Sequence, residues 1–475
     1  MTDTYLILKE RPETSGGCIF NYSYEGSEEM TVMDSYDYLL MGKGFCLCAK
    51  DSGGVLLFGP GGDKEYADMD DAELTAKVQG IIKPRVLLEK HKLTVGRYGV
   101  VMLDDLEKTI AKGSVYAFQT DGGEVWAMNL EPLRGYDKDV SKGVSKLNAE
   151  DGTFGDVVKE VIKASGDELI TYSAKPVLSL EPDMPVYEVM GGIYSHLLYV
   201  MEKNTEGIIN DVDIEFLHDF RVSVRRMRSA MSIVRGVFDK AVEKEFRARF
   251  RVLGSLTGLA RDMDVYMERL DDYERMLPQW LKGGMSELAA HFTKTREAEY
   301  KKLGDYLSGG EFKKLAKDWR KVIKSKKTAT EKGKRPVLPV AKKAIWQAFE
   351  EIEKQAEGMN TETHSDEVHQ IRISFKKIRY LLEFYSSLFD KEKTAPMLKD
   401  MKVLQDSLGD HNDYHVQQLM LEELVESGKW SPKTASACGF LTAVLADKQA
   451  AEREKALRLI MSFMDYKPLF GELFK

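Results

Sequence analysis

Two short stretches of this 475-residue chain gather cations around a histidine. The first runs His218-Asp219-Phe220-Arg221-Val222-Ser223-Val224-Arg225-Arg226-Met227-Arg228. The second runs His369-Gln370-Ile371-Arg372-Ile373-Ser374-Phe375-Lys376-Lys377-Ile378-Arg379. Arginine presents a planar fork that matches phosphate oxygens two at a time, and lysine adds a point charge. A histidine in such a field is held neutral and donates one N–H to an anion. No base–nucleophile pair accompanies either block, and acidic metal ligands are missing. The chemistry these residues suit is cradling a polyanion, not breaking one.

The two blocks stand 151 residues apart, and that register persists downstream. Phe238-Asp239 matches Phe389-Asp390, Arg251-Val252-Leu253 matches Lys402-Val403-Leu404, and Gly258, Asp262 and Val265 match Gly409, Asp413 and Val416. Charge and apolarity held together over so long a span indicate an internal duplication. On a helix starting at His218, Arg221, Arg225 and Arg228 fall near about 300°, 340° and 280°, beside an apolar arc at roughly 180–260° that holds Leu217, Phe220, Val224, Met227 and Met231. The second copy repeats this wheel with Ile371, Phe375, Ile378 and Leu382. Arg226 and Lys377 stand apart, near about 80°.

Many amphipathic helices carry a basic solvated face, and Asp262 and Asp413 could neutralise these arginines internally. Against that reading, ordinary solvated faces mix Glu with Lys at i,i+4, whereas 220–238 and 371–382 contain no acid. The arrangement also occurs twice. Two symmetry-related helices would set the stripes against each other across a shared cleft, and binding there would weaken steeply with salt.

The elements that must position these residues change character along the chain. Over the first 130 or so residues, apolar runs alternate with turn chemistry. Residues 45–48 and 55–58 flank Asp51-Ser52-Gly53-Gly54, and 115–118 and 125–128 flank Thr120-Asp121-Gly122-Gly123. A third pair surrounds Gly96-Arg97-Tyr98-Gly99. These are hairpin signals. Helices are expected at 69–80 and near 154–165. The fold class predicted is an α+β antiparallel-sheet domain over 1–170, a proline-marked linker over 171–186, and an all-α duplicated helical-bundle domain over 187–475. Its halves span about 187–323 and 337–475, separated by the basic run Lys324–Arg335, which reads as a solvated loop.

Composition bounds the function. Apolar residues at 43% and charged residues at 31% fit a globular protein. No apolar run approaches a membrane span, and the N-terminus lacks a secretory pattern. Cys18, Cys46, Cys48 and Cys438 are too scattered for a disulfide framework, which points to the cytoplasm. The net charge of −8 hides an asymmetry. Residues 1–187 carry 20 Lys and Arg against 32 Asp and Glu, while 188–475 carry 49 against 45. His218-Asp219 and the group His411, Asn412, Asp413 and His415 lack a second ligand set, so no metal is expected. His411 and His415 are expected to border the cleft or cap a helix.

The H-x-x-R-V-x-x-R-R-x-R block, its degenerate copy, and the L-x-G-x-x-R-D and S-L-G-x-x-N-D segments resemble the CHAD domain, the conserved-histidine α-helical domain, over roughly 187–470. That resemblance implies two four-helix bundles around a basic central channel and a role in binding inorganic polyphosphate. It maps His218, Arg221, Arg225, Arg226, Arg228, His369, Arg372, Lys376, Lys377 and Arg379 to the channel, with Arg251 and Lys402 added. CHAD domains often follow a CYTH domain, the triphosphate tunnel fold, whose first strand reads E-x-E-x-K. Here the strand reads Tyr5-Leu6-Ile7-Leu8-Lys9: the lysine is kept and both metal-binding glutamates are gone. The resemblance thus implies a degenerate CYTH-like module, no catalytic residues, no cofactor, and association with polyphosphate granules. The alternatives are a CYTH-type metal-dependent phosphohydrolase and an RNA-binding module, although the stripes carry no aromatic stacking platform.

Overall fold

A computed structural model describes residues 4–475 other than 61, 121, 167, 168, 170–173, 175 and 177. The chain divides into two compact units, Met1–Tyr172 and Ser173–Lys475.

In the first unit ten strands form one antiparallel sheet: β1 (Tyr5–Leu8), β2 (Thr14–Ser15), β3 (Cys18–Asp34), β4 (Cys46–Lys50), β5 (Val55–Phe58), β6 (Lys64–Tyr66), β7 (Leu88–Leu103), β8 (Thr109–Thr120), β9 (Gly123–Pro132) and β10 (Glu150–Gly152). The strand order is β10-β1-β9-β8-β7-β3-β4-β5-β6, with β2 paired to β3. Helices α1 (Leu39–Gly42), α2 (Ala72–Ile82), α3 (Asp137–Val144) and α4 (Phe154–Ala164) accompany it. Two of the expected hairpins form, β4 with β5 and β8 with β9. The third does not. Gly96 and Gly99 lie inside the continuous strand β7, which pairs with β3 on one side and β8 on the other. Glycine serves there for close approach, because a Cβ on Gly99 would meet Ser23 Oγ at 2.8 Å. A bulge at Glu25 lies opposite this stretch.

The second unit is helical: α5 (Val186–Ile209), α6 (Ile214–Ile233), α7 (Lys240–Leu256), α8 (Gly258–Glu268), α9 (Leu270–Met276), α10 (Met285–Ser308), α11 (Gly310–Lys324), α12 (Val337–Ala356), α13 (Ser365–Phe384), α14 (Lys391–Glu426), α15 (Pro432–Met464) and α16 (Lys467–Phe474). The 151-residue register recurs in three helix starts, Val186 with Val337, Ile214 with Ser365, and Lys240 with Lys391. Capping repeats as well. Asp239 and Asp390 each accept the amide two residues on, from Ala241 and Glu392, at 2.9 Å. The halves meet at a local two-fold. Val186 N–H donates to the Arg335 carbonyl at 3.0 Å, and its counterpart Val337 N–H donates to the Met184 carbonyl at 2.9 Å. Pro185 forms a bridge with its own repeat mate Pro336.

Each half is a four-rod bundle closed by a further helix. Trp319 centres the first core with Tyr194, Phe246 and Phe250. Phe349, Phe375, Phe463 and Phe470 centre the second. The third rod is one helix in the second half (α14) but breaks at Thr257 in the first, between α7 and α8. The basic run is more ordered than a solvated linker. Thr330 Oγ1 donates to the Gly236 carbonyl at 2.6 Å and Lys332 Nζ to that of Arg235 at 2.6 Å.

Candidate anion-binding site

The apolar arc predicted for α6 is buried: Leu217, Phe220, Val224 and Met227 are each 0% exposed. Ile371, Phe375 and Ile378 hold the same positions on α13, also at 0%. Burial of these arcs fixes the rotation of both helices and so aims both stripes. Helices α6 and α13 pack on each other, and the stripes converge across that seam. Arg225 from α6 is near enough to Arg372 and Lys376 of α13 to help lower the proton affinity of both.

Burial dominates the electrostatics. Arg221 is pushed down from the usual guanidinium range by desolvation first, then by Arg225, Arg261 and Arg228, against the pull of Asp262. Arg372 is lowered by burial and Arg225, against Asp413. Lys376 falls to about 7, through burial and then Arg372 and Arg225. Asp262 sits high because desolvation outweighs the attraction of Arg221 and Arg261. Arg372 Nε is buried without a hydrogen-bond acceptor among the described residues. The seam thus gathers positive charge that Asp262 and Asp413 offset only in part.

Small residues make room for the cations in the first half. Arg221 donates to the Gly254 carbonyl at 3.3 Å and Thr257 Oγ1 at 3.4 Å, at the break between α7 and α8. Arg228 lies over Gly254, whose missing Cβ would meet its Nη1 at 2.7 Å. The second half places Gln405 at that position, and its Oε1 accepts from Arg379 Nη1 at 2.8 Å.

Other predicted residues lie elsewhere. Arg226 is buried, donates to the Ala174 carbonyl, and pairs with Glu383 at 3.4 Å. Arg379 shares that carboxylate at 2.9 Å, and Lys377 pairs with Glu351 at 2.6 Å. Glu383, the acid shared by Arg226 and Arg379, lies just outside the acid-free window 371–382, while Glu351, the partner of Lys377, comes from α12. Arg251 and Lys402, mates on α7 and α14, are exposed. His218 is half-buried, and its donor atoms lie within 4.8 Å of those of Glu215 and Asp219. His369 is exposed and bonds Asn412 Oδ1 through Nδ1 at 2.6 Å. The stripe reading did not include Arg261 and Arg269; the latter reaches across the seam to Asp413 at 3.9 Å. Arg261 is part of the R-D pair repeated as Asn412-Asp413, which was the available signal.

His369 also lines a cavity of about 210 Å³ with Ser365, His411, Asn412 and His415. In the first unit, the strand positions where the CYTH pattern carries glutamates hold Tyr5 and Ile7. Tyr5 is 3% exposed and packs against Phe154, in a core filled by Val157, Val158 and Val161 of α4.

The duplicated antiparallel helical bundle thus carries an electropositive seam at its internal two-fold. Residues 193–422, just under half of the chain, match the family model of the CHAD domain. The crystal structure of the CHAD domain from the plant Ricinus communis is similar, with a TM-score of 0.52 and 26% identity, covering 62% of this chain and 96% of that one. PptA from Streptomyces chartreusis aligns at a TM-score of 0.46 and 15% identity, over 59% of this chain and 100% of that one. None of the curated proteins matches the chain. Among the described residues, no helix is long and apolar enough to cross a membrane.

Proposed function

We propose that the helical unit binds inorganic polyphosphate along the α6–α13 seam without cleaving it, and that this attachment brings the protein to polyphosphate granules. The observation that carries the reading is the approach of the exposed Arg225 to the half-buried Arg372 and Lys376 across the two-fold. Arg221 and Arg228 extend the row. A flexible chain with one charge per unit suits such a row better than a stiff duplex. The CHAD family match supports the same ligand class. Non-catalytic binding fits the first unit too, where apolar packing fills the face on which metal-holding carboxylates would stand.

The test is a titration of long-chain polyphosphate and of single-stranded RNA against wild type and the Arg221→Ala/Arg372→Ala double variant, at two salt concentrations. Polyphosphate should bind more tightly than RNA, and the variant should lose about a hundredfold or more. Equal affinity for both polymers, or metal-dependent phosphate release, would overturn the proposal.

A further inference from the structure

The two ends of the seam differ, and the difference has a chemical direction. Where the first half has Asp219 and Asp264, the second has Gln370 and His415. Asp264 is fully buried and occupied, taking Arg296 Nε at 2.7 Å and Tyr300 OH at 2.8 Å. Glu215 and Asp219 flank His218. The first end is therefore packed and carboxylate-rich. The second end opens into the cavity lined by Ser365, Asp366, His369, His411, Asn412 and His415, where the largely exposed Asp366, repeat mate of Glu215, is the lining carboxylate.

We infer that this histidine pocket receives the terminal phosphoryl group of a polyphosphate chain whose remaining units lie along the seam, a refinement that rests on the polyphosphate reading above. Asn412 Oδ1 can only accept, so His369 Nδ1 carries the proton of that 2.6 Å bond, and Nε2 is the ring atom left to meet a ligand proton. His411 is nearly buried and takes the Gln449 amide at 3.3 Å on its Nε2, while the Gln449 carbonyl is held by Gln418 at 2.9 Å. Burial, then Arg453, His415 and Arg372, keep His411 neutral, down to about 4.

An internal phosphate unit has only acceptor oxygens and leaves an imidazole lone pair unmatched. A terminal phosphoryl group has a second ionisation near about 6, so it can still bring a proton to share. Its extra charge meets Arg372, which His411 senses directly, and one solvated carboxylate, Asp366, whereas the first end would set it beside Glu215, Asp219 and the buried Asp264. Arg372 lies one turn along α13 from His369, so pocket and seam are continuous. The same guanidinium, with Arg453, disfavours a metal cation among the three imidazoles.

The test compares a linear polyphosphate with the same polymer esterified at both ends, titrated into the full-length chain. Wild type should bind the esterified polymer about tenfold more weakly, the equivalent of one hydrogen bond to a charged group. His369→Gln and, separately, His415→Gln should each bring the uncapped polymer down toward the affinity of the capped one, erasing the difference. Equal affinity of wild type for capped and uncapped chains would overturn the pocket assignment and leave the seam reading intact. Failure of both polymers to bind would instead defeat the reading of the seam. A zinc titration serves as a cross-check: stoichiometric uptake lost in His415→Gln would make the pocket a metal site and likewise overturn the assignment.

Discussion

Lys376 and Arg226 show how residues of like charge on neighbouring helices come to do different work. Lys376 is mostly buried among Arg372 and Arg225, and burial first, then those neighbours, lower it to about 7. The unfolded chain holds this proton up to about pH 10.4. Between pH 7 and that value the unfolded state binds more protons, so this group makes the empty protein more stable as pH rises. Below pH 7 both states are protonated and the repulsion is present in full. Lys376→Met should therefore raise the melting temperature of the unliganded protein at pH 6 while weakening polyphosphate binding. Binding at pH 8 should take up a proton, seen as a dependence of calorimetric heat on buffer ionisation, and the variant should lose it. Arg226 behaves oppositely. Its side chain is 6% exposed and shares Glu383, itself 15% exposed. Arg226→Ala should cost about 3 kcal/mol in chemical denaturation by stranding part of a buried charge. Arg225→Ala, at an exposed site, should leave stability nearly unchanged and weaken binding. The helical wheel set Arg226 off the stripe, yet the family resemblance mapped it to the channel together with Arg225, and its burial against Glu383 corrects that assignment. The sequence did not reveal Glu383, whose partnership with Arg226 spans 157 residues, or the Gln449 and Arg453 groups behind the histidine pocket.

At the scale of elements, the duplication made most of the helical unit legible. A helix in one copy predicts its mate, and three helix starts keep the 151-residue offset. What the repeat could not show is where the copies diverge. Gly254 and Thr257 open the first third rod at Thr257, while Gln405 and Leu408 keep the second continuous. The consequence is functional. Arg228 lies over bare glycine, whereas Arg379 is clamped by Gln405 at 2.8 Å and by Glu383 at 2.9 Å. Gly254→Gln should copy the clamp into the first half. The new side chain meets only the flexible tip of Arg228, so the protein should fold with a melting temperature near wild type, and polyphosphate affinity should fall severalfold. Unchanged affinity would show that Arg228 does not reach the anion. In the sheet unit the misleading signal was glycine itself. Gly96 and Gly99 imitate a turn, but β7 runs straight through them because β3 and β8 supply hydrogen-bonding partners on both sides. Local chemistry cannot tell a turn glycine from one that admits a neighbouring strand.

For the molecule as a whole, net charge misdirects: −8 overall conceals a basic seam inside an acidic protein. The ligand responds to the local field, and the salt dependence of binding counts the charges that form it. Of the repeated cations, Arg221, Arg225, Arg228, Arg372 and Lys376 are left for the ligand; Arg226 and Arg379 share Glu383, and Lys377 is committed to Glu351. Five neutralised phosphates on a single-stranded polyanion give a slope of log K against log salt near about −3.5, taking roughly 0.7 per contact. If Arg226, Lys377 and Arg379 also faced the ligand, eight contacts would give a slope of about −6. Arg225→Ala should flatten the slope by about 0.7, and Lys377→Ala should leave it unchanged. A slope unmoved by Arg225→Ala but flattened by Lys377→Ala would place the polyanion on the outer face of α13 and not in the seam.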